Sequence, residues 1–405
     1  MAQLSKRLAS VDAFRALTMF FMIFVNDLWS LKKIPDWLEH AKMFEDRMGF
    51  ADTIFPAFLF IVGLSIPFAI SGRLAKGYSR QSTLIHILTR SFALLLIGFF
   101  HVNLENYNKL AAILPKPFWQ IGITVAFFLI WMDYAPDFPR KKKNLLKGIG
   151  IAMLVILALL YKGSPGEGPA MADQYVWMRP QWYGILGLIG WAYLYCALIY
   201  LVTKDRLGWV IAAFLFFCGL MISDKLHLLH AFDPIKEYAW INSSGALPAL
   251  TMAGVLCAVI YRRMSEKGKL TPSLGVMALL GVLSLIAGFT IRPYTGGISK
   301  IMATPAWVFI CIGISIECFV LLAYIMDVKG QQNWIKPLKP AGTSTLTCYL
   351  LPYIHYAFLN MFYKVSGLSL IFRTGGIGII KSLLYAFAII WITGWLEKRR
   401  IRLAL

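Results

Sequence analysis

Charge is scarce in this 405-residue chain. Asp, Glu, Lys and Arg together make up 15% of it, where a soluble domain carries roughly 25%. Acidic residues are scarcer still, 20 against 40 Lys and Arg. Cysteine contributes only six residues, and Cys196, Cys218, Cys257, Cys311, Cys318 and Cys348 each fall inside an apolar run. None has zinc-type spacing, so neither a disulfide framework nor a metal centre is expected. The chain also lacks a Walker motif, a G-x-G-x-x-G and an H-E-x-x-H. No internal repeat relates its halves, and no polar stretch stands apart as a soluble domain, so residues 1–405 read as one unit.

What fills the chain is apolar: 59% of the residues are hydrophobic and the mean hydropathy is +0.66. Runs of about 20 apolar residues recur, each long enough to cross a hydrocarbon core of about 30 Å as a helix. Twelve are predicted, at 12–31, 51–71, 84–102, 118–135, 144–161, 182–203, 207–223, 245–262, 275–291, 305–327, 341–362 and 376–396. The least distinct of these spans are 144–161 and 207–223, so eleven or twelve are expected. The fold class is all-α, a polytopic integral membrane protein whose partner is the lipid bilayer.

The net charge of +20 would suggest nucleic acid in a soluble protein. Here the basic residues concentrate on alternate loops, among them Arg73, Lys76, Arg80, the run RKKK at 140–143, Arg262, Arg263, and the tail EKRRIR. The positive-inside rule then places both termini in the cytoplasm. The charge is accounted for by topology, and no nucleic-acid partner is expected. Lys6 and Arg7 precede a long span with no small-residue cleavage site, so no cleavable signal is read there.

Ionisable side chains inside a bilayer are costly and mark functional sites unless they are structurally paired. Arg15 lies near the inner end of the first span and Arg90 in the inner half of the third. Either the guanidinium groups snorkel, with Arg15 paired to Asp12, or both bind an anion such as a phosphate. At the outer end of the first span sit Asn26 and Asp27. Asp52 opens the second span, where Pro56 is expected to interrupt the hydrogen-bond ladder. His40 lies in the outer loop between them. Acid, amide and imidazole therefore converge at one mouth, although a loop histidine by itself is ordinarily just solvated.

Several segments carry a resemblance. RLASVDAFRALTMFFMIFVND, then EHA, then ADTIFPAFLFIVGLSI look like the N-terminal signature of the heparan-alpha-glucosaminide N-acetyltransferase family, within the transmembrane acyltransferases. FWQIGIT at 118–124 resembles that family's Leu-Gln-Arg-Leu-Gly-Val-Thr segment. DVKG at 327–330 and KPAGTSTLTCYLLPYIHY resemble later pieces, while about 135–240 matches least. The resemblance implies an acetyl group moved from cytoplasmic acetyl-CoA, as cosubstrate, to the amino group of an extracytoplasmic glucosamine-type sugar or glycan. It implies a transmembrane acyltransferase fold, a homodimer, and, for a bacterial homologue, the inner membrane.

The family's active-site histidine is followed by alanine, which corresponds to His40-Ala41. The loop after it is slightly longer here and lacks the family's Trp-Asn-Gly, which leaves the acceptor open. The related acyltransferase-3 proteins place a catalytic histidine ten residues beyond an Arg of the first helix. In this chain Asn26 stands at that distance from Arg15, so His40 is left to supply the proton chemistry. On this reading His40 is a general base, Asn26 donates to the thioester oxygen, and Asp27 or Asp52 orients the imidazole. Arg15, Arg90 and Lys300 are expected to bind the cosubstrate, with Lys300 also within reach of the acceptor. Gln120, Tyr349 and His355 are secondary candidates for substrate binding. His86, His101, His227 and His230 are read as structural or solvated, and the Trp-rich points DLWS, VWMRPQWYG and QQNW as interfacial belts first. Direct transfer is favoured over an acetyl-histidine intermediate.

Two other function classes fit parts of the pattern. Twelve spans with both ends inside also suit a secondary transporter of a small polar solute. Against it stand the missing repeat and the crowding of polar groups into the first three helices. A polytopic scaffold without chemistry is the third reading.

Overall fold

A computed structural model describes residues 8–165, 175–229, 231, 242–362 and 371–405. The regular structure of the described residues is helical, without a β-strand; their only extended pairings are isolated bridges. Lys6, Arg7 and His230 lie outside the described residues.

Each of the twelve predicted runs holds a long helix. They are α1 (Ala9–Leu28), α2 (Ala51–Ala75), α3 (Arg80–Val102), α4 (Lys116–Trp131), α5 (Arg140–Leu159), α6 (Gly184–Thr203), α7 (Leu207–Lys225), α8 (Ala246–Glu266), α9 (Leu270–Ile291), α10 (Pro305–Ala323), α11 (Thr345–Phe362) and α12 (Gly375–Lys398). Nine of these, among the described residues, are long and apolar enough to cross a membrane. The exceptions have local causes. α4 is short, the first turns of α5 are taken up by Arg140, Lys141, Lys142 and Lys143, and α11 carries Pro352, His355 and Asn360. The expected run 341–362 is divided, because a short helix at Lys339–Thr343 ends at Ser344 before α11 begins.

Helix ends follow local chemistry. α3 starts four residues earlier than expected because Ser79 caps it, its hydroxyl accepting from the Ser82 N–H at 3.0 Å. α2 continues through Pro56. The proline cannot donate to the carbonyl of Asp52, as a helix would require, and the Trp307 indole N–H donates to that oxygen instead, at 3.2 Å. The gap expected in the ladder is therefore filled from α10, and the helix does not break.

Between helices in lipid, close backbone approach replaces the hydrophobic drive. α2 and α8 cross at Gly63 and Gly254: a Cβ on Gly63 would sit 1.7 Å from the Thr251 carbonyl oxygen, and one on Gly254 2.0 Å from that of Phe60. α1 is enclosed by α2, α10, α11, α12 and the short helix at 339–343, whereas little of α7 and α9 is buried. The exposed side chains of α9, such as Leu279, Leu283 and Phe289, are apolar. Five of the six cysteines are buried and Cys318 is exposed.

Candidate active site

The loop from Trp29 to Phe50 joins α1 to α2 and is folded by its own sequence onto the end of the bundle. The Phe50 N–H donates to Trp37 O at 2.7 Å and the Ala51 N–H to Leu38 O at 3.2 Å. Gly49 is required where these strands of chain meet, since a Cβ there would lie 1.8 Å from Glu39 O. Asp46 ties the loop to the segment before α10: its carboxylate accepts from the Ile298 N–H at 2.6 Å and from the Arg292 Nε–H at 2.9 Å. The Ile298 N–H, with Arg292 beside it, holds the Asp46 carboxyl below the usual carboxylate range.

Asp52, on the first turn of α2, organises the centre of this loop. Its Oδ2 accepts the Ala41 N–H at 2.9 Å and the Gly49 N–H at 3.0 Å, while Oδ1 lies 2.6 Å from His40 Nδ1. With both backbone donors spent on Oδ2, the carboxylate is an acceptor towards the imidazole. Nδ1 therefore carries a proton, directed at Asp52. The side chain of Asp52 is 1% exposed and that of His40 46%, so a buried acid stands against an accessible imidazole. Lys300 completes the group, its Nζ 3.3 Å from His40 Nδ1 and 3.9 Å from Asp52 Oδ1. Burial pushes the Lys300 ammonium below its usual pKa, and Asp52 opposes that shift.

His40 opens onto a cavity of about 530 Å³ lined by Ile23, Asn26, Trp29 and Glu39 on one side and by Ile185, Tyr349, Pro352, Tyr353 and Tyr356 on the other. Asn26 and His40 thus share one chamber. Tyr349 lines it too, its hydroxyl 3.2 Å from that of Tyr353. Gln120 supports the wall from behind by donating to Tyr353 O at 2.7 Å. His355 is not among the lining residues; its Nδ1 is 3.0 Å from the Tyr385 hydroxyl.

Asp27 turns away from His40. Buried on α1, it accepts from the Tyr356 hydroxyl, from the Lys381 ammonium of α12 and from the Ser382 hydroxyl at 2.6 Å. Of the two acids considered as orienters of the imidazole, Asp52 is the one in contact with it. Lys381 went unnoticed in the sequence, yet a single Lys inside the apolar run of α12 was the signal.

At the opposite end of α1, roughly 16 Å along the helix from Asn26, Arg15 donates to Asp12 Oδ1 at 3.1 Å, to Gly342 O at 3.3 Å and to Ser65 Oγ at 2.7 Å. Arg90 lies elsewhere, with its guanidinium 5.1 Å from the centre of the Tyr193 ring on α6. The Arg90 Nε is buried and has no hydrogen-bond partner among the described residues. Neither Arg lines the cavity, and Lys300 sits with the His40 group rather than with them.

A family model described as a domain of unknown function, DUF5009, matches residues 7–228, more than half of the 405 residues. The chain belongs to the DUF5009 family. Over 111 residues it is also 37% identical to heparan-alpha-glucosaminide N-acetyltransferase of Homo sapiens, a stretch that is 26% of this chain and 15% of that protein. The corresponding protein of Mus musculus is 36% identical over 107 residues, 25% of this chain and 15% of its own length. The matched part therefore spans only a small fraction of these curated relatives. The DUF5009 match takes in Asn26, His40, Asp52 and Gln120. Lys300, Tyr349, Tyr356 and Lys381 fall beyond it, so the cavity is built from both the matched region and the remainder of the chain.

Proposed function

We propose that this protein is a transmembrane acetyltransferase that takes an acetyl group from acetyl-CoA on the cytoplasmic side and delivers it to an amine on an extracytoplasmic amino sugar or glycan. The observation that carries the proposal is the His40–Asp52 pair at 2.6 Å, opening onto a chamber that also holds Asn26. The similarity to named acetyltransferases supports it.

Transfer from a thioester to an amine needs a base for the amine proton and a donor for the developing oxyanion. His40 Nε2 takes the proton, and Asp52 stabilises the imidazolium that results. The Asn26 amide N–H donates to the thioester oxygen as charge builds there, a contribution of about 3–4 kcal/mol in comparable sites. Tyr349 and Tyr353 shape the chamber, and Gln120 holds Tyr353 in place. Arg15, at the other end of α1, and Arg90, on α3, are the groups assigned to the phosphates of coenzyme A; the extended cosubstrate spans the distance from them to the chamber. The acetyl group passes directly to the amine: the carbon–nitrogen bond forms, the carbon–sulfur bond of the thioester breaks, and coenzyme A leaves as the thiol on receiving the proton held at His40 Nε2. The protein resides in a bacterial inner membrane with both termini cytoplasmic, as a homodimer.

The test is turnover of acetyl-CoA and glucosamine by purified protein in detergent, with coenzyme A binding measured alongside. His40→Ala should abolish turnover and keep coenzyme A binding. A wild-type protein that binds no coenzyme A would end this reading and favour the transporter, whose polar residues serve a solute path instead.

A further inference from the structure

We infer that Lys300 is a positioning residue that keeps His40 in its neutral, proton-accepting form. The inference rests on the reading of His40 as the base, and it goes beyond the expectation that Lys300 binds the cosubstrate.

The geometry poses a problem that Lys300 solves. Asp52 is almost wholly buried, is locked by two backbone N–H groups and stands 2.6 Å from the imidazole. A carboxylate beside an imidazole favours its cationic form as a general rule, and an imidazolium cannot accept a proton from the attacking amine. A second cation against the same carboxylate offsets this. Lys300 Nζ lies 3.9 Å from Asp52 Oδ1 and 3.3 Å from His40 Nδ1. Because the Nδ1 proton points at Asp52, the ammonium does not donate to that nitrogen. It acts through its charge, sharing the carboxylate and raising the cost of a positive imidazole next to it.

Other charged and titratable groups around the imidazole do not take this role. Glu39 lies on the same loop and lines the cavity, as do the phenols of Tyr349, Tyr353 and Tyr356 on α11. Cys311 of α10 is a buried thiol. Asp27, behind Tyr356, is already engaged by Lys381. Lys300 is the cation within 4 Å of the pair among the described residues. Its place is set by the docked loop, since Ser299 Oγ–H donates to Met43 O at 3.2 Å and Ile298 N–H to Asp46.

The experiment is the pH dependence of diethyl pyrocarbonate modification of His40, read by mass on the His40 peptide, in wild type, Lys300→Met, Lys300→Gln and Lys300→Arg. The reagent attacks neutral imidazole, so the midpoint reports His40 without any substrate. Removing a charge at this distance should raise the midpoint by at least about one pH unit, in Lys300→Met and in Lys300→Gln alike. Lys300→Arg should return it to within a fraction of a unit of wild type. If acetyl transfer is measurable, the acid limb of its pH profile should move the same way, with about a tenfold loss of rate below the new midpoint. Neutral variants that titrate with wild type would overturn the inference, as would an Arg variant shifted as far as Met. A shifted midpoint without any acetyl transfer would instead count against the enzyme reading and leave the role of Lys300 standing.

Discussion

Asp52→Asn is the sharpest perturbation of this site, because it keeps the shape while removing the negative charge and turning one acceptor into a donor. The asparagine has a single acceptor oxygen, and two backbone donors, Ala41 N–H and Gly49 N–H, already converge on Oδ2. The amide oxygen must remain there. Its NH₂ then faces His40 Nδ1, where Oδ1 stood at 2.6 Å. The imidazole is forced to accept at Nδ1 and to carry its proton on Nε2, the nitrogen that has to receive one from the amine. The same exchange in a Ser-His-Asp triad lowers kcat by about 10⁴, and general-base catalysis as a whole supplies about 10²–10⁴. We expect kcat for glucosamine acetylation to fall by about 10²–10⁴, with coenzyme A binding unchanged. The fold should persist, because the backbone donors keep their partner. Asp52→Ala, by contrast, leaves both donors orphaned in a buried place, at about 1–3 kcal/mol each, and should lower the thermal midpoint as well. The assay is product formation by mass spectrometry at saturating acetyl-CoA, with thermal stability followed in the same detergent. An Asn variant that turns over within threefold of wild type would refute the assignment of the tautomer and with it the role of Asp52.

Asn26→Ala should reduce kcat by about 10²–10³ while leaving coenzyme A affinity intact, if its amide stabilises the oxyanion; a change confined to KM would contradict that. Lys381→Met strips the ammonium from Asp27, whose side chain is 4% exposed, and should destabilise the protein by about 3 kcal/mol. The double variant Asp27→Asn with Lys381→Met should recover much of the loss in a thermal melt; additive losses would show that the pair is not coupled. Asp46 has a depressed folded pKa, so its docking of the loop is complete above the unfolded value of about 3.9 and is lost as pH falls through the folded value. Hydrogen exchange at the Ile298 amide should therefore be faster in Asp46→Asn than in wild type at neutral pH and should converge with it in acid. Equal protection at neutral pH would remove Asp46 from the account.

The helices were legible because an apolar run of membrane length has few alternatives, and even the short or charged ones, α4 and α5, formed where the pattern placed them. Their ends were less so. The Ser79 cap is a single hydrogen bond and the break at Ser344 a single residue with non-helical backbone angles, details that hydropathy averages away. Pro56 shows the same limit: the missing donor could be read from the sequence, but not the Trp307 indole that replaces it from 255 positions along the chain. In the site, His40 and Asp52 are separated by 12 positions, and their convergence at one mouth followed from α1 and α2 being neighbours. The cationic partners of this group come from far along the chain. Lys300 is 260 positions from His40 and Lys381 is 354 from Asp27. Nothing in local pattern tells whether Asp27 or Asp52 meets His40, because Asp27 is engaged by residues of α11 and α12 that pack against α1.

The most direct test of transfer across the bilayer is compartmental. Purified protein is reconstituted into sealed vesicles, with glucosamine trapped inside and acetyl-CoA labelled in the acetyl group supplied outside. Labelled N-acetylglucosamine should accumulate in the lumen with the wild type and not with His40→Ala. Product that appears only when donor and acceptor share a compartment, or no product at all with wild type, would contradict a site that joins the two faces of the membrane.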